Sequence, residues 1–152
     1  YNCPGQIVIS GEAQAVAAAA DRMKEAGARR CIPLQVSGPF HSALLQDAGK
    51  RLRQELDQVM LHTPAIPYYC NVTADPVTAT ESICELLEKQ IYSPVRFWQS
   101  VENMIQDGVD TFIEIGPGKT LSSFVRKINR EVKTCQVEKP QDLAKLMEEM
   151  AC

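Results

Sequence analysis

Imidazole is scarce in this sequence. His41 and His62 are the two histidines among 152 residues, so any proton transfer by imidazole rests on one of them. Cysteine is more abundant, at positions 3, 31, 70, 84, 135 and 152. No two cysteines form a CxxC pair, and no histidine stands near one at zinc spacing, which argues against a metal centre. Scattered in this way they read as reduced thiols of a cytoplasmic protein. No apolar run approaches the roughly 18 residues of a membrane span, and the opening residues do not read as a signal peptide. Basic charge is not in excess, with 16 Lys and Arg against 19 Asp and Glu and a net charge of −3. Nucleic acid is therefore not an expected partner. Internal repeats and low-complexity segments are also missing. There is no initiator methionine, and because Tyr1 leads at once into "NCPGQIVISG", the chain reads as the middle of something longer.

What is present is ordinary globular material, 45% hydrophobic and 23% charged, with a length that suggests one domain and a proper core. "QIVIS" (6–10) is β-branched between two glycines and reads as a strand. An alanine-rich helix over 12–26 follows, stopped by Gly27, with Ala15, Val16, Ala19 and Met23 on a narrow apolar face. "ARRCIPLQV" (28–36) reads as a second strand, completing a small β-α-β unit. After the "SGPF" turn, Ser42 is placed to cap a helix running to about Met60, with Leu45, Ala48, Leu52, Leu56 and Val59 along one side.

"PYYCNV" (67–72) reads as a strand and "DPVTAT" as a loop. Thr80 or Ser82 caps a helix to about Ile91, and Pro94 breaks the chain. An amphipathic helix carries Phe97, Val101, Met104 and Ile105 and ends at Gly108. "VDTFIEIG" is a strand, "GPGK" a turn, "TLSSFVRKINR" a helix and "VKTCQVEK" a short strand. A last helix has Pro140 at its first turn. Strands alternating with helices from residue 67 onward predict an α/β fold with a parallel sheet.

Three patterns bear on chemistry. "GPGKT" (116–120) suggests a phosphate loop, but the pattern needs glycine where Ile113 stands, so it reads as a tight strand-to-helix turn. The helix after it carries Arg126, Lys127 and Arg130, with Lys119 before and Lys133 after. Cations at a helix C-terminus complement its dipole, and docking of an acidic partner or a phosphorylated cofactor is a second use. His62, at a helix exit beside a proline, reads as a surface residue. His41 in "SGPFHSALL" occupies a turn-to-helix junction, where α/β proteins present side chains to clefts. Its chemistry would be to take a proton from a serine or cysteine and return it to a leaving group. No serine here lies in a GxSxG elbow, and no cysteine has glycine on either side between a strand and a helix. The residues alone give a candidate base without its nucleophile.

Taken in order and at these spacings, "NCPGQIVISG", "VSGPFHSALL", "QIYSPVRFW" and "FIEIGPGKTLSSFVRKI" resemble malonyl-CoA:acyl carrier protein transacylases of bacterial type II fatty acid synthesis. The match runs from about Asn2 to Ile128 and covers the C-terminal half of such an enzyme. The resemblance implies the C-terminal part of an α/β-hydrolase-like parallel-sheet core (residues 37–152). It also implies the second half of an inserted ferredoxin-like subdomain (1–36).

It further implies ping-pong acyl transfer, in which a serine takes malonyl from coenzyme A and passes it to the phosphopantetheine thiol of acyl carrier protein. The family's catalytic histidine falls on His41, and the residue whose backbone carbonyl supports it falls on Gln90. This explains the want of an acidic third member, since Asp47, one and a half helical turns past Ser42, should point elsewhere. Phenylalanine before the histidine goes with malonyl selection in related acyltransferases, which makes Phe40 a specificity residue. Lys119, Arg126, Lys127 and Arg130 become candidates for docking the carrier protein.

No bound cofactor is implied; malonyl-CoA is substrate. The expected partners are acyl carrier protein and the missing N-terminal half of the same enzyme, and the expected location is the cytoplasm. The serine, the malonate-binding arginine and the oxyanion-hole glutamine of the family have no counterparts here, so the chain alone is expected to be inactive. Two other readings are a non-catalytic module that binds acyl carrier protein and a piece of a polyketide synthase acyltransferase domain.

Overall fold

The computed structural model describes residues 1–150. The chain divides into two compact units, Tyr1–Ile7 with Arg96–Cys152, and Val8–Val95.

The Val8–Val95 unit begins with α1 (Ala13–Glu25), which Gly27 closes in a left-handed conformation at φ +93°. None of its side chains is buried, so the narrow alanine face contributes little core. A 3-10 turn over Ala43–Leu45 leads into α2 (Gln46–Leu56). The helix stops four residues before Met60 because the chain tightens there. The Gln58 and Val59 amides donate to carbonyls three residues back, at 3.1 and 3.0 Å. Val59 and Met60 are left exposed. Ser42 precedes the turn, but its hydroxyl donates to the Pro39 carbonyl at 2.7 Å rather than capping a helix amide.

The strand expected over 67–72 is shorter than its composition suggests. Only Tyr68–Tyr69 (β1) pairs, antiparallel with Pro76–Val77 (β2), in the stretch expected as loop. The Ala74 amide donates to the Cys70 carbonyl at 2.8 Å, and Ala74 is left-handed at φ +66°. That turn folds the segment back on itself after two residues. A second 3-10 turn, Thr80–Ser82, enters α3 (Ile83–Tyr92). Cys70, Val77 and Ile83 form the buried centre here, with Leu61, Tyr68, Val72, Leu86 and Leu87 packed against it.

The other unit holds α4 (Phe97–Gln106), β3 (Thr111–Ile115), α5 (Thr120–Ile128), β4 (Lys133–Val137) and α6 (Pro140–Met150). The two strands are parallel, with Ile113 opposite Cys135, and α5 makes the crossover that a parallel pair requires. This is the α/β arrangement expected. Val101, Phe124, Val125 and Leu146 are buried, and the Phe97 and Phe124 rings meet edge to face at 6.1 Å. The segment at residues 1–7 belongs here through the Tyr1 carbonyl, which accepts from the Trp98 amide at 3.0 Å.

The strands expected at 6–10 and 28–36 do not form. Near the first there is only an isolated bridge between Cys3 and Gln6. Ile7, Val8, Ile9, Ile32, Leu34 and Val36 are exposed. β-Branched composition favours an extended chain, but a strand is completed by hydrogen bonds to a neighbour. Neither segment joins a sheet among the described residues. No helix among the described residues is long and apolar enough to cross a membrane.

Candidate functional site

His41 and Gln90, 49 positions apart in sequence, meet in the structure. The His41 Nδ1 lies 2.9 Å from the Gln90 backbone oxygen. A carbonyl can only accept, so the proton of this bond is on Nδ1. The neutral ring therefore presents Nε2 as a bare lone pair.

Two helices create the contact. His41 stands just ahead of the turn into α2, while Gln90 is in the last turn of α3, and these helices pack together. Gly49 permits the approach. It is buried, and a Cβ there would fall 2.7 Å from the Tyr92 ring and 3.0 Å from the Glu88 carbonyl oxygen. The Arg53 guanidinium reaches Glu88 at 3.9 Å, and its Nε donates to Asp57 at 2.7 Å. Hydrogen bonding to Asp57 is the larger cause raising the Arg53 pKa.

The backbone at His41 is left-handed, with φ +57°. For a residue carrying a Cβ this is an uncommon, strained conformation, and such strain gathers at functional sites. The Ser42 hydroxyl on the Pro39 carbonyl closes the same turn. The imidazole is exposed to solvent. Phe40 beside it is half exposed, and a Cβ added at Gly38 would meet its ring at 3.7 Å, an ordinary contact. Asp47 pairs with Lys50 at 3.4 Å, while the partner found for the imidazole is the Gln90 carbonyl. His62 is exposed, as expected for a surface residue.

The basic residues singled out by sequence belong to the other unit and do not all line one cleft. Lys119 and Arg126 line an open cleft of about 330 Å³ with Ser122, Thr134 and Gln136. Arg126 Nε donates to the Thr134 hydroxyl at 2.7 Å, so part of its capacity is spent holding α5 to β4. Lys127 and Arg130 are exposed and do not line that cleft. The "GPGK" turn is held from β3 by Glu114, whose carboxylate accepts from the amides of Leu121 and Ser122 at 3.0 and 2.8 Å. The Ser122 hydroxyl and these amides keep the Glu114 pKa below the ordinary carboxylate value. That carboxylate occupies the anion position at the start of α5, which accounts for the turn without a phosphate.

Sequence reasoning passed over three features of these two units. The left-handed backbone at His41 has no compositional signal. Gly49 had one, since a glycine inside a helix lowers its stability and asks for a packing reason. The Glu114 cap had none, because its partners lie seven and eight residues on.

Comparison with known proteins adds the family. Over 142 residues the chain is 51% identical to the malonyl CoA-acyl carrier protein transacylase of Bacillus subtilis (strain 168), covering 93% of this chain and 45% of that protein. The crystal structure of malonyl CoA-acyl carrier protein transacylase from Clostridium perfringens superposes with a TM-score of 0.93 at 44% identity, covering 99% of this chain and 48% of that one. A malonyl-transacylase in complex with a type II polyketide synthase acyl-carrier protein superposes with a TM-score of 0.87 at 34% identity. There the coverage is 91% of this chain and 45% of the other. The chain thus spans a little under half the length of these relatives. The family described as acyl transferase domain matches residues 1–146, and the chain belongs to that family.

Proposed function

We propose that this chain supplies the general base, and the group that orients it, for transfer of a malonyl unit from coenzyme A to acyl carrier protein. The observation that carries the reading is the 2.9 Å contact of His41 Nδ1 with the Gln90 carbonyl. It leaves Nε2 free to act in either direction.

In the first half-reaction a serine Oγ attacks the malonyl thioester carbon while Nε2 takes the hydroxyl proton. As the C–S bond breaks, the departing coenzyme A thiolate takes that proton back from Nε2. In the second half-reaction the phosphopantetheine thiol gives its proton to Nε2 and attacks the serine ester, and the serine leaves with that proton. No cofactor is consumed, and malonyl-CoA is substrate only. The serine is contributed by the N-terminal half that relatives of twice this length possess; no GxSxG elbow occurs among these residues.

Phe40 sets the acyl preference by its bulk beside the base, hindering a branch on the α-carbon of the acyl group. Lys119 and Arg126 at the cleft, and the exposed Lys127 and Arg130, are the basic residues offered to acidic acyl carrier protein, a partner supported by the relative solved in such a complex. Residues 1–36 are the second half of a ferredoxin-like insert and 37–152 the end of an α/β-hydrolase-like core. The compartment is the cytoplasm.

The test combines this chain with the N-terminal half of the Bacillus subtilis relative and follows transfer of radiolabelled malonyl to carrier protein. Transfer should require both halves and fall about 10²–10⁴-fold with His41→Ala. Transfer by the isolated chain that depends on His41 would overturn the reading. So would an unchanged rate in His41→Ala. Salt-sensitive capture of carrier protein without transfer by the combined halves would favour a binding module instead.

A further inference from the structure

In a continuous α-helix the Gln90 carbonyl would accept from the amide of residue 94. Residue 94 is proline and has no amide hydrogen. The helical ladder therefore ends one step earlier, where the Ser93 amide donates to the Lys89 carbonyl at 2.9 Å. Ser93 itself is extended, at φ −101° and ψ 154°, the conformation a following proline imposes. The last carbonyls of a helix need outside partners, and His41 Nδ1 supplies one for Gln90 at 2.9 Å.

We propose that Pro94 is a positioning residue for His41: by withholding an amide and ending α3, it reserves the Gln90 carbonyl for the imidazole and so fixes the ring with the proton on Nδ1. With an amide at position 94, Ser93 is released to the helical region and a local donor competes for the same oxygen. An acceptor shared between two donors holds the ring less firmly, and the imidazole relaxes towards the Nε2–H form that a free ring prefers. The acceptor is a main-chain atom, so the feature that selects it is found four residues downstream and not in the glutamine side chain. The catalytic meaning of this arrangement rests on the function proposed above; the hydrogen bond and its selection do not.

The experiment labels histidine with ¹⁵N in the 152-residue chain and reads the His41 tautomer from two-bond ¹H–¹⁵N correlations in mildly alkaline buffer. Hydrogen exchange of the amide introduced at position 94 is followed in parallel. The wild-type chain should show mainly the Nδ1–H form. Pro94→Ala should lower the ratio of Nδ1–H to Nε2–H several-fold and give a protected new amide. Pro94→Gly restores the donor in a residue that resists helix extension, so its shift should be smaller. This variant also keeps the test informative if Pro94→Ala disturbs the far-ultraviolet circular dichroism. An unchanged tautomer in both variants would overturn the proposal, as would a wild-type ring already in the Nε2–H form. Tautomer shifts of the expected size beside a failed transfer assay would refute the proposed function and leave the positioning role standing.

Discussion

Replacing Gly49 by alanine sets two opposing effects against each other. Alanine is favoured over glycine inside a helix by about 0.8–1.0 kcal/mol, so a free position in α2 would be stabilised. Here the added methyl would stand 2.7 Å from Cδ1 and Cε1 of Tyr92 and 3.0 Å from the Glu88 carbonyl oxygen. Non-bonded carbons rest about 3.5–4.0 Å apart, so the overlap approaches ~1 Å. One of the obstructing groups is backbone and cannot rotate away. Overpacking of this kind costs about 1–3 kcal/mol, and the net expectation is a change between about zero and a loss of about 2 kcal/mol, in place of the gain. Urea denaturation should show an unchanged or lower midpoint with an unchanged slope.

Tyr92→Ala provides the control. In that background the ring is gone, and Gly49→Ala should lose most of its penalty, giving a coupling of about 1 kcal/mol or more in the double-mutant cycle. A Gly49→Ala protein stabilised by the full helix propensity with Tyr92 in place would refute the reasoning. α2 would then not rely on glycine to approach α3.

The Glu114 carboxyl is held below its ordinary value of 4.5 by the Ser122 hydroxyl and by the amides at the start of α5. Its stabilising contribution is therefore complete above the unfolded-state value of about 4.5 and is lost as pH falls through the lower folded one. Glu114→Gln should lower the thermal midpoint at neutral pH and make the decline below pH ~4.5 shallower; an unchanged acid limb would contradict the cap. Val101 is 2% exposed, and Val101→Ala removes the equivalent of two methylenes at ~0.8 kcal/mol each and leaves a cavity. A loss of about 2 kcal/mol in chemical denaturation is expected, and a loss under ~0.5 kcal/mol would mean that α4 repacks around the gap.

Much of the fold was legible wherever the signal is local. The six α-helices among the described residues follow from apolar spacing, proline and glycine stops, and their ends differ from expectation by a few residues. The parallel pair β3 and β4 was legible because each strand is flanked by a helix of its own. Reading failed where structure depends on a partner. Residues 6–10 and 28–36 have strand composition, yet composition does not supply the neighbour that closes a ladder. The short β1–β2 hairpin was hidden because a left-handed Ala74, with none of the usual glycine or asparagine signal, makes its turn.

The site divides in the same way. Histidine at a turn-to-helix junction drew notice on pattern alone, but its connection to Gln90 came from resemblance. A side-chain search looks for an aspartate or glutamate near the imidazole, and the candidate in sequence, Asp47, is committed to Lys50. The actual acceptor is a main-chain oxygen, which every residue possesses and no composition marks. What distinguishes one carbonyl from the next is the loss of its helical donor, and that loss is written in the sequence as a proline four positions on. Scanning helix C-termini for such prolines, and asking which imidazole or hydroxyl the topology delivers to the freed oxygen, turns an invisible contact into a readable one. In this chain the rule selects Gln90 over its neighbours, since the Lys89 carbonyl is already taken by the Ser93 amide.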